Sequence, residues 1–221
     1  MAATRRAGGF TLIELLVALA VMALLALASW QGLSGMARAQ AINRERADAV
    51  LTLQTALSQW TADLDTTVAL SQTRAIDWDG RVLRLTRRST DSPQPVVYVV
   101  AWTQKNGPGG AAYWYRWQSP GLTTRPEWQQ AWDRAAAWGQ DSGGSSNELR
   151  GTELGLVPLE SWQLLYFRND AWGPAVAASA LGTATQPDGI RLVLSLPPGP
   201  ALTGLLTRDW VRPTASMSKT S

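Results

Sequence analysis

Between Phe10 and Leu33 the only charged residue is Glu14. The stretch is otherwise apolar and long enough to cross a bilayer as a helix, which takes roughly 20 apolar residues. A carboxylate that deep in a membrane segment is costly, so it is a functional residue by default and needs a cationic partner. Arg5 and Arg6 precede the run, and no acidic residue does. The positive-inside bias keeps that short leader in the cytoplasm and sends the rest of the chain outward.

The other carboxylates suggest less chemistry. Asp77, Asp79 and Asp91 are oxygen donors, but a calcium loop needs several ligands converging on one point. Here Asp77 and Asp79 flank Trp78 just before Gly80, which reads as a turn. Glu153 and Glu160 lack the surrounding pattern of a glycosidase pair. The chain has no His and no Cys. That removes Ser-His-Asp triads, His-based zinc sites, thiol chemistry and disulfides. No catalytic residue, no metal site and no cofactor is expected.

The net charge is +3, and Arg5 and Arg6 supply two of those charges, so the balance does not argue for a nucleic-acid partner. Tyr113, Trp114, Tyr115 and Trp117 do interleave with Arg116 in the way that single strands are held. Acidic residues are interspersed nearby, strand aromatics more often pack, and no nucleic acid is expected. With 45% hydrophobic residues, a domain without disulfides has enough apolar side chain for a core. Its 221 residues suit one anchored domain.

The elements follow from periodicity. A helix is expected from Phe10 to about Asp65, roughly 80 Å at about 1.5 Å per residue. Val50, Leu53, Leu57, Trp60 and Leu64 recur at spacings of three and four, so they share a buried face. Arg44, Glu45, Arg46 and Asp48 take the less buried side, and Gly32 and Gly35 are where the helix could bend. Strands are expected at 82–86, 95–102, 112–117, 162–167, 190–196 and 202–210. Asn106-Gly107 signals a hairpin. Trp128, Trp132 and Trp138 lie in an Ala- and Gln-rich segment read as a short helix. Residues 139–147 and Trp172-Gly173-Pro174 read as loops, and the tail beyond Pro213 as disordered. The fold class is α+β, one long N-terminal helix packed on an antiparallel sheet or two. The divisions are 1–9, 10–33, 34–70, 71–212 and 213–221: leader, membrane half of the helix, its outer half, β-rich domain and tail.

Gly9-Phe10-Thr11-Leu12-Ile13-Glu14-Leu15, behind a basic leader and ahead of a spanning apolar run, resembles the processing site of type IV prepilins and type II secretion pseudopilins. The resemblance implies cleavage after Gly9 by a prepilin peptidase and methylation of the new amine on Phe10. Glu14 then stands at the family's fifth mature position. Opposite charges in a low dielectric attract strongly and are expensive to leave unpaired. Glu14 therefore has a reason to neutralise the Phe10 amine of its own or a neighbouring subunit. A Glu that merely caps the first helical turn is the simpler alternative.

Leu83-Arg84-Leu85-Thr86-Arg87-Arg88, Val97-Tyr98-Val99-Val100-Ala101-Trp102 and Tyr113-Trp114-Tyr115-Arg116 resemble segments of the J-type minor pseudopilin of type II secretion. So do 162–169 leading to Trp172, and Pro187-Asp188-Gly189-Ile190-Arg191-Leu192-Val193-Leu194. The K-type pseudopilin lacks the Glu at the fifth mature position. The major one is shorter, with a calcium loop that finds no counterpart here.

The resemblance implies a structural role at the tip of a periplasmic pseudopilus, with I- and K-type minor pseudopilins and the major pseudopilin as partners. It also implies a single-pass inner-membrane protein with its C-terminal domain in the periplasm. Trp128 and Trp132 are candidate interface anchors, because Trp is enriched at hot spots. The alternative is that they cover one end of the sheet. Two further readings compete: a minor pilin of a type IV pilus, and a secreted β-rich binding protein cut after Ala28.

Overall fold

The structure, a computed structural model, describes residues 10–89, 96–140, 153–176, 186–199 and 202–213. Contacts divide the chain into two units at Ala47/Asp48. Helix α1 (Leu12–Asp65) is a single α-helix. Nothing within it breaks a helix: it has no Pro, it is rich in Ala and Leu, and Gly32 and Gly35 lie within the uninterrupted run. It stops where Thr66, Thr67 and Val68 bring three β-branched residues together. Thr66 and Thr67 there turn their hydroxyls onto the carbonyls of Ala62 and Asp63. The helix therefore ends at Asp65, short of residue 70.

In the first unit every apolar side chain from Leu12 to Leu27 is exposed, and so are Trp30 and Leu33. A helix that is hydrophobic all round and unburied matches hydrocarbon rather than water.

The second unit holds the core. Strands β1 (Ile76–Trp78), β2 (Val82–Arg88), β3 (Val97–Asn106), β4 (Ala112–Gln118) and β5 (Glu153–Pro158) form an antiparallel meander in that order. Strands β6 (Ser161–Arg168), β7 (Ala171–Pro174), β8 (Gly189–Leu196) and β9 (Gly204–Val211) form a second antiparallel sheet, ordered β7-β6-β8-β9. Asn169 and Asp170, with φ of 50° and 60°, make the two-residue turn from β6 to β7. Helix α2 (Arg125–Gln140) lies between β4 and β5 in sequence.

Side chains alternate across the first sheet, and both of its faces are buried. One face brings Leu83, Leu85, Val100, Trp102 and Trp114 onto Leu53, Ala56, Trp60 and Leu64 of α1 and onto Leu164, Ile190, Leu192 and Leu194 of the second sheet. The other face brings Val82, Val99, Ala101 and Trp117 onto Trp128, Ala131, Trp132, Ala135 and Trp138 of α2. The helical face expected at Leu53, Leu57, Trp60 and Leu64 is the one that packs, with Val50 at its exposed margin.

With twelve Trp against two Phe, the aromatic core is built from indoles. Trp60 lies 5.3 Å from Trp102 and 5.4 Å from Trp114, centroid to centroid. Trp102 and Trp114 are 4.4 Å apart. Contacts of this kind contribute roughly 0.5–1.5 kcal/mol each beyond their buried area.

Several local readings change. Asp77 and Trp78 belong to β1, so the turn narrows to Asp79-Gly80-Arg81, where Asp79 Oδ1 accepts the N–H groups of Arg81 and Val82 at 2.9 and 2.8 Å. Trp172-Gly173-Pro174 is not a loop: it forms β7, an edge strand, where a proline is tolerated. Asn106-Gly107 does not itself make the turn. Gly107 is extended, and the reversal falls to Pro108–Gly110, with Gly109 and Gly110 both at φ 82°. Gly139 is helical and faces Val82, where a Cβ would come within 1.9 Å of that side chain. Strand β9 starts at Gly204 rather than 202. The leader, Asp91, residues 141–147 and the tail from 214 lie outside the described residues.

Candidate functional site

The head of α1 is built by a reciprocal cap. Thr11 is the N-cap, and its backbone N–H donates to Glu14 Oε2 at 2.9 Å. Its hydroxyl donates to the same oxygen at 2.9 Å, and the Glu14 N–H donates back to Thr11 Oγ1 at 3.4 Å. This is the capping box, in which a Thr and a Glu three residues on satisfy each other's orphan donors. Both Thr11 bonds to the carboxylate fall on Oε2, and among the described residues Glu14 Oε1 accepts no hydrogen bond. Phe10, one residue before the cap, is 90% exposed. Gly9 lies outside the described residues.

The same device opens α2. Thr124 N–H donates to Glu127 Oε2 at 3.1 Å, and Glu127 N–H donates to Thr124 Oγ1 at 3.4 Å. Thr123 N–H adds a further bond at 3.0 Å. The backbone donors of Thr123 and Thr124 hold the Glu127 carboxyl below its ordinary range. Capping alone thus explains a Glu at this helical position in an aqueous setting. Glu14 makes the same bonds inside the apolar segment, where a carboxylate has a further requirement for positive charge.

The distal end of α1 carries a second charged device that sequence reasoning did not identify. Asp63 is fully buried on the face that packs on the first sheet. Arg116 of β4 grips it with two bonds, Nε to Oδ2 at 2.7 Å and Nη2 to Oδ1 at 2.9 Å. Arg87 of β2 donates at 2.8 Å and Trp102 Nε1 of β3 at 3.0 Å. Gln59, one helical turn back, completes the set at 3.0 Å. One carboxylate of the helix therefore bonds to three neighbouring strands. The available signal was its position three residues after Trp60, on an otherwise apolar face, with arginines inside two strands.

Trp128 and Trp132 do not stand on the surface as anchors. They are 4% and 3% exposed and stack on each other at 5.0 Å inside the second core. Trp128 Nε1 donates to Thr86 Oγ1 at 2.9 Å, and the Trp132 ring carries the Arg84 guanidinium at 5.0 Å. Amphipathic periodicity turns all three tryptophans of α2 inward, so the reading in which they cover the sheet is the one the packing follows.

The remaining candidates are tied into the fold. Asp77 pairs with Arg84. Glu153 accepts Trp138 Nε1 at 2.6 Å and Lys105 Nζ at 3.3 Å. Glu160 accepts the Ser195 hydroxyl at 3.1 Å. Trp114 and Trp117 are buried on opposite faces of the first sheet and Arg116 is committed to Asp63, so the aromatic run on β4 forms no open groove. Among the described residues, no cluster of three or more acidic side chains could hold a metal ion.

No curated protein matches the chain. Residues 4–30 match the family model described as the prokaryotic N-terminal methylation motif. The match covers Phe10, Thr11 and Glu14, and extends through most of the apolar run. It supports a pilin-like protein or pseudopilin, processed by a prepilin peptidase and assembled with other pilins. The chain therefore joins a prepilin-type methylation motif to an apolar helix that suits a single-pass inner-membrane anchor.

Proposed function

We propose that this chain is a minor pseudopilin of a type II secretion system, of the J type, and acts as a structural part of the pseudopilus tip. The observation that carries this reading is the methylation motif at the head of one continuous helix whose distal end is fixed into a two-sheet domain. The segments that resemble the J-type protein fall on β2, β3, β4, β6 and β8. In this reading residues 1–9 are the leader, 10–33 the membrane half of α1, and the rest a periplasmic domain. Gly9 and Phe10 are the cleavage site, and Phe10 is the methylated residue. Glu14 pairs with a Phe10 amine during assembly. The partners are I- and K-type minor pseudopilins and the major pseudopilin. The role is mechanical, with no catalytic group.

A clean deletion in the native host tests this, with exoprotein release and pilus-dependent motility scored together. Exoproteins retained in the periplasm with normal pili are expected. Lost pili with normal secretion would instead assign the chain to a type IV pilus as a minor pilin.

A further inference from the structure

We propose that Trp30 and Arg38 form a collar that binds phospholipid headgroups and fixes the depth of α1 in the membrane. The inference rests on the reading of α1 as a membrane anchor and is independent of the machine it serves.

The spacing supports it. From Phe10 to Trp30 the helix rises about 30 Å, the thickness of a bilayer's hydrocarbon core. Trp30 is the one aromatic residue of α1 between Phe10 and Trp60, and it is 70% exposed. An indole at that height belongs at the boundary between hydrocarbon and headgroups. The headgroup layer extends about 5–8 Å further.

Arg38 is the first cation beyond the run, and its Cα lies about 12 Å past Trp30. Its side chain turns back toward the membrane: Nε donates to the Ser34 carbonyl at 3.3 Å. Ser34 lies about 6 Å past Trp30. The guanidinium is therefore carried to the height of the lipid phosphates, which it can bind through paired N–H donors. Leu33 and Met36, both exposed, lie between the two anchors. The other polar residues of this stretch, Gln31 and Ser34, are uncharged, so Arg38 supplies the one charge between 30 and 38 that resists drawing Leu33 and Met36 into hydrocarbon. With the collar, Phe10 is held at the opposite surface.

The absence of native cysteine makes the test direct. Single substitutions Leu19→Cys, Leu27→Cys, Leu33→Cys, Ala37→Cys and Ala41→Cys are placed in the full chain. Each variant is reconstituted in nanodiscs of phosphatidylethanolamine and phosphatidylglycerol and labelled with a water-soluble maleimide. Protection at Leu19 and Leu27, partial labelling at Leu33 and full labelling at Ala37 and Ala41 are expected. Adding Trp30→Ala with Arg38→Gln should move the boundary by about one helical turn, 5.4 Å, so that Leu33→Cys becomes protected. Arg38→Lys alone should leave the boundary in place. A boundary outside 30–38, or one unmoved by the double change, overturns the collar and leaves the anchor standing. Labelling at Leu19 as fast as at Ala41 overturns the anchor and the collar together.

Discussion

Glu14 and Glu127 make the same bonds with a threonine three residues before them, in two different settings. A glutamine can replace the Glu of a capping box, because the box needs an acceptor and not a charge. Pairing with an amine in hydrocarbon does need the charge. Glu14→Gln therefore separates the two roles. It should be cleaved after Gly9 like the parent and incorporate into fibres as poorly as Glu14→Ala, measured as the share of the protein in sheared fibres. Assembly of the Gln variant at the parental level would reduce Glu14 to a cap. Asp63 makes a sharper claim about stability. Asp63→Ala leaves two largely buried guanidiniums without their carboxylate, a loss of roughly 3–5 kcal/mol. Urea denaturation of the detergent-solubilised chain reads it, and Asp63→Asn, which keeps an acceptor without the charge, should fall in between.

At the scale of elements, what could be read in the sequence tracks how each element is stabilised. The long helix and its packing face were legible because Leu53, Leu57, Trp60 and Leu64 keep helical spacing over several turns. Strands β2, β3, β4, β6 and β8 alternate or carry β-branched and aromatic runs, which are local signals. Strand β1 is three residues long and includes Asp77; only its pairing with β2 and the Arg84 partner make it a strand. Strand β7 carries Gly173 and Pro174, and it exists because β6 turns back on it through Asn169 and Asp170. The placement of the tryptophans is likewise a tertiary fact: composition reveals an indole-rich core without saying which rings enter it. Gly139 reads as a breaker but is a contact residue, since α2 approaches Val82 too closely there for any side chain. Trp128 lies in that same interface, so Trp128→Ala should act on stability before it acts on any partner. Loss of about 3–5 kcal/mol is expected for a buried ring of this size, visible as a lowered denaturation midpoint. An unchanged midpoint with weakened binding to another pilin-like subunit would restore Trp128 as an interface anchor.

At the scale of the whole molecule, the decisive bond is the one whose cleavage defines the mature chain. Two cuts are compatible with the sequence, after Gly9 and after Ala28, and they leave different molecules. A cut after Ala28 would release everything from Ser29 onward, and α1 would begin without the Thr11–Glu14 cap and without most of its apolar run. A cut after Gly9 keeps both, and it places the new amine one residue before the cap. The physical difference is retention: the longer product keeps the full span and stays in the membrane, whereas the shorter one keeps too few apolar residues to cross it. Protein purified from the native host's membranes should therefore begin at Phe10 and carry one added methyl group on its amine, read by mass spectrometry of the N-terminal peptide. A soluble product beginning at Ser29 would remove the anchor, the assembly role of Glu14 and the pseudopilin reading at once. An unmethylated Phe10 terminus would keep the anchor while detaching the chain from the modification that its motif describes.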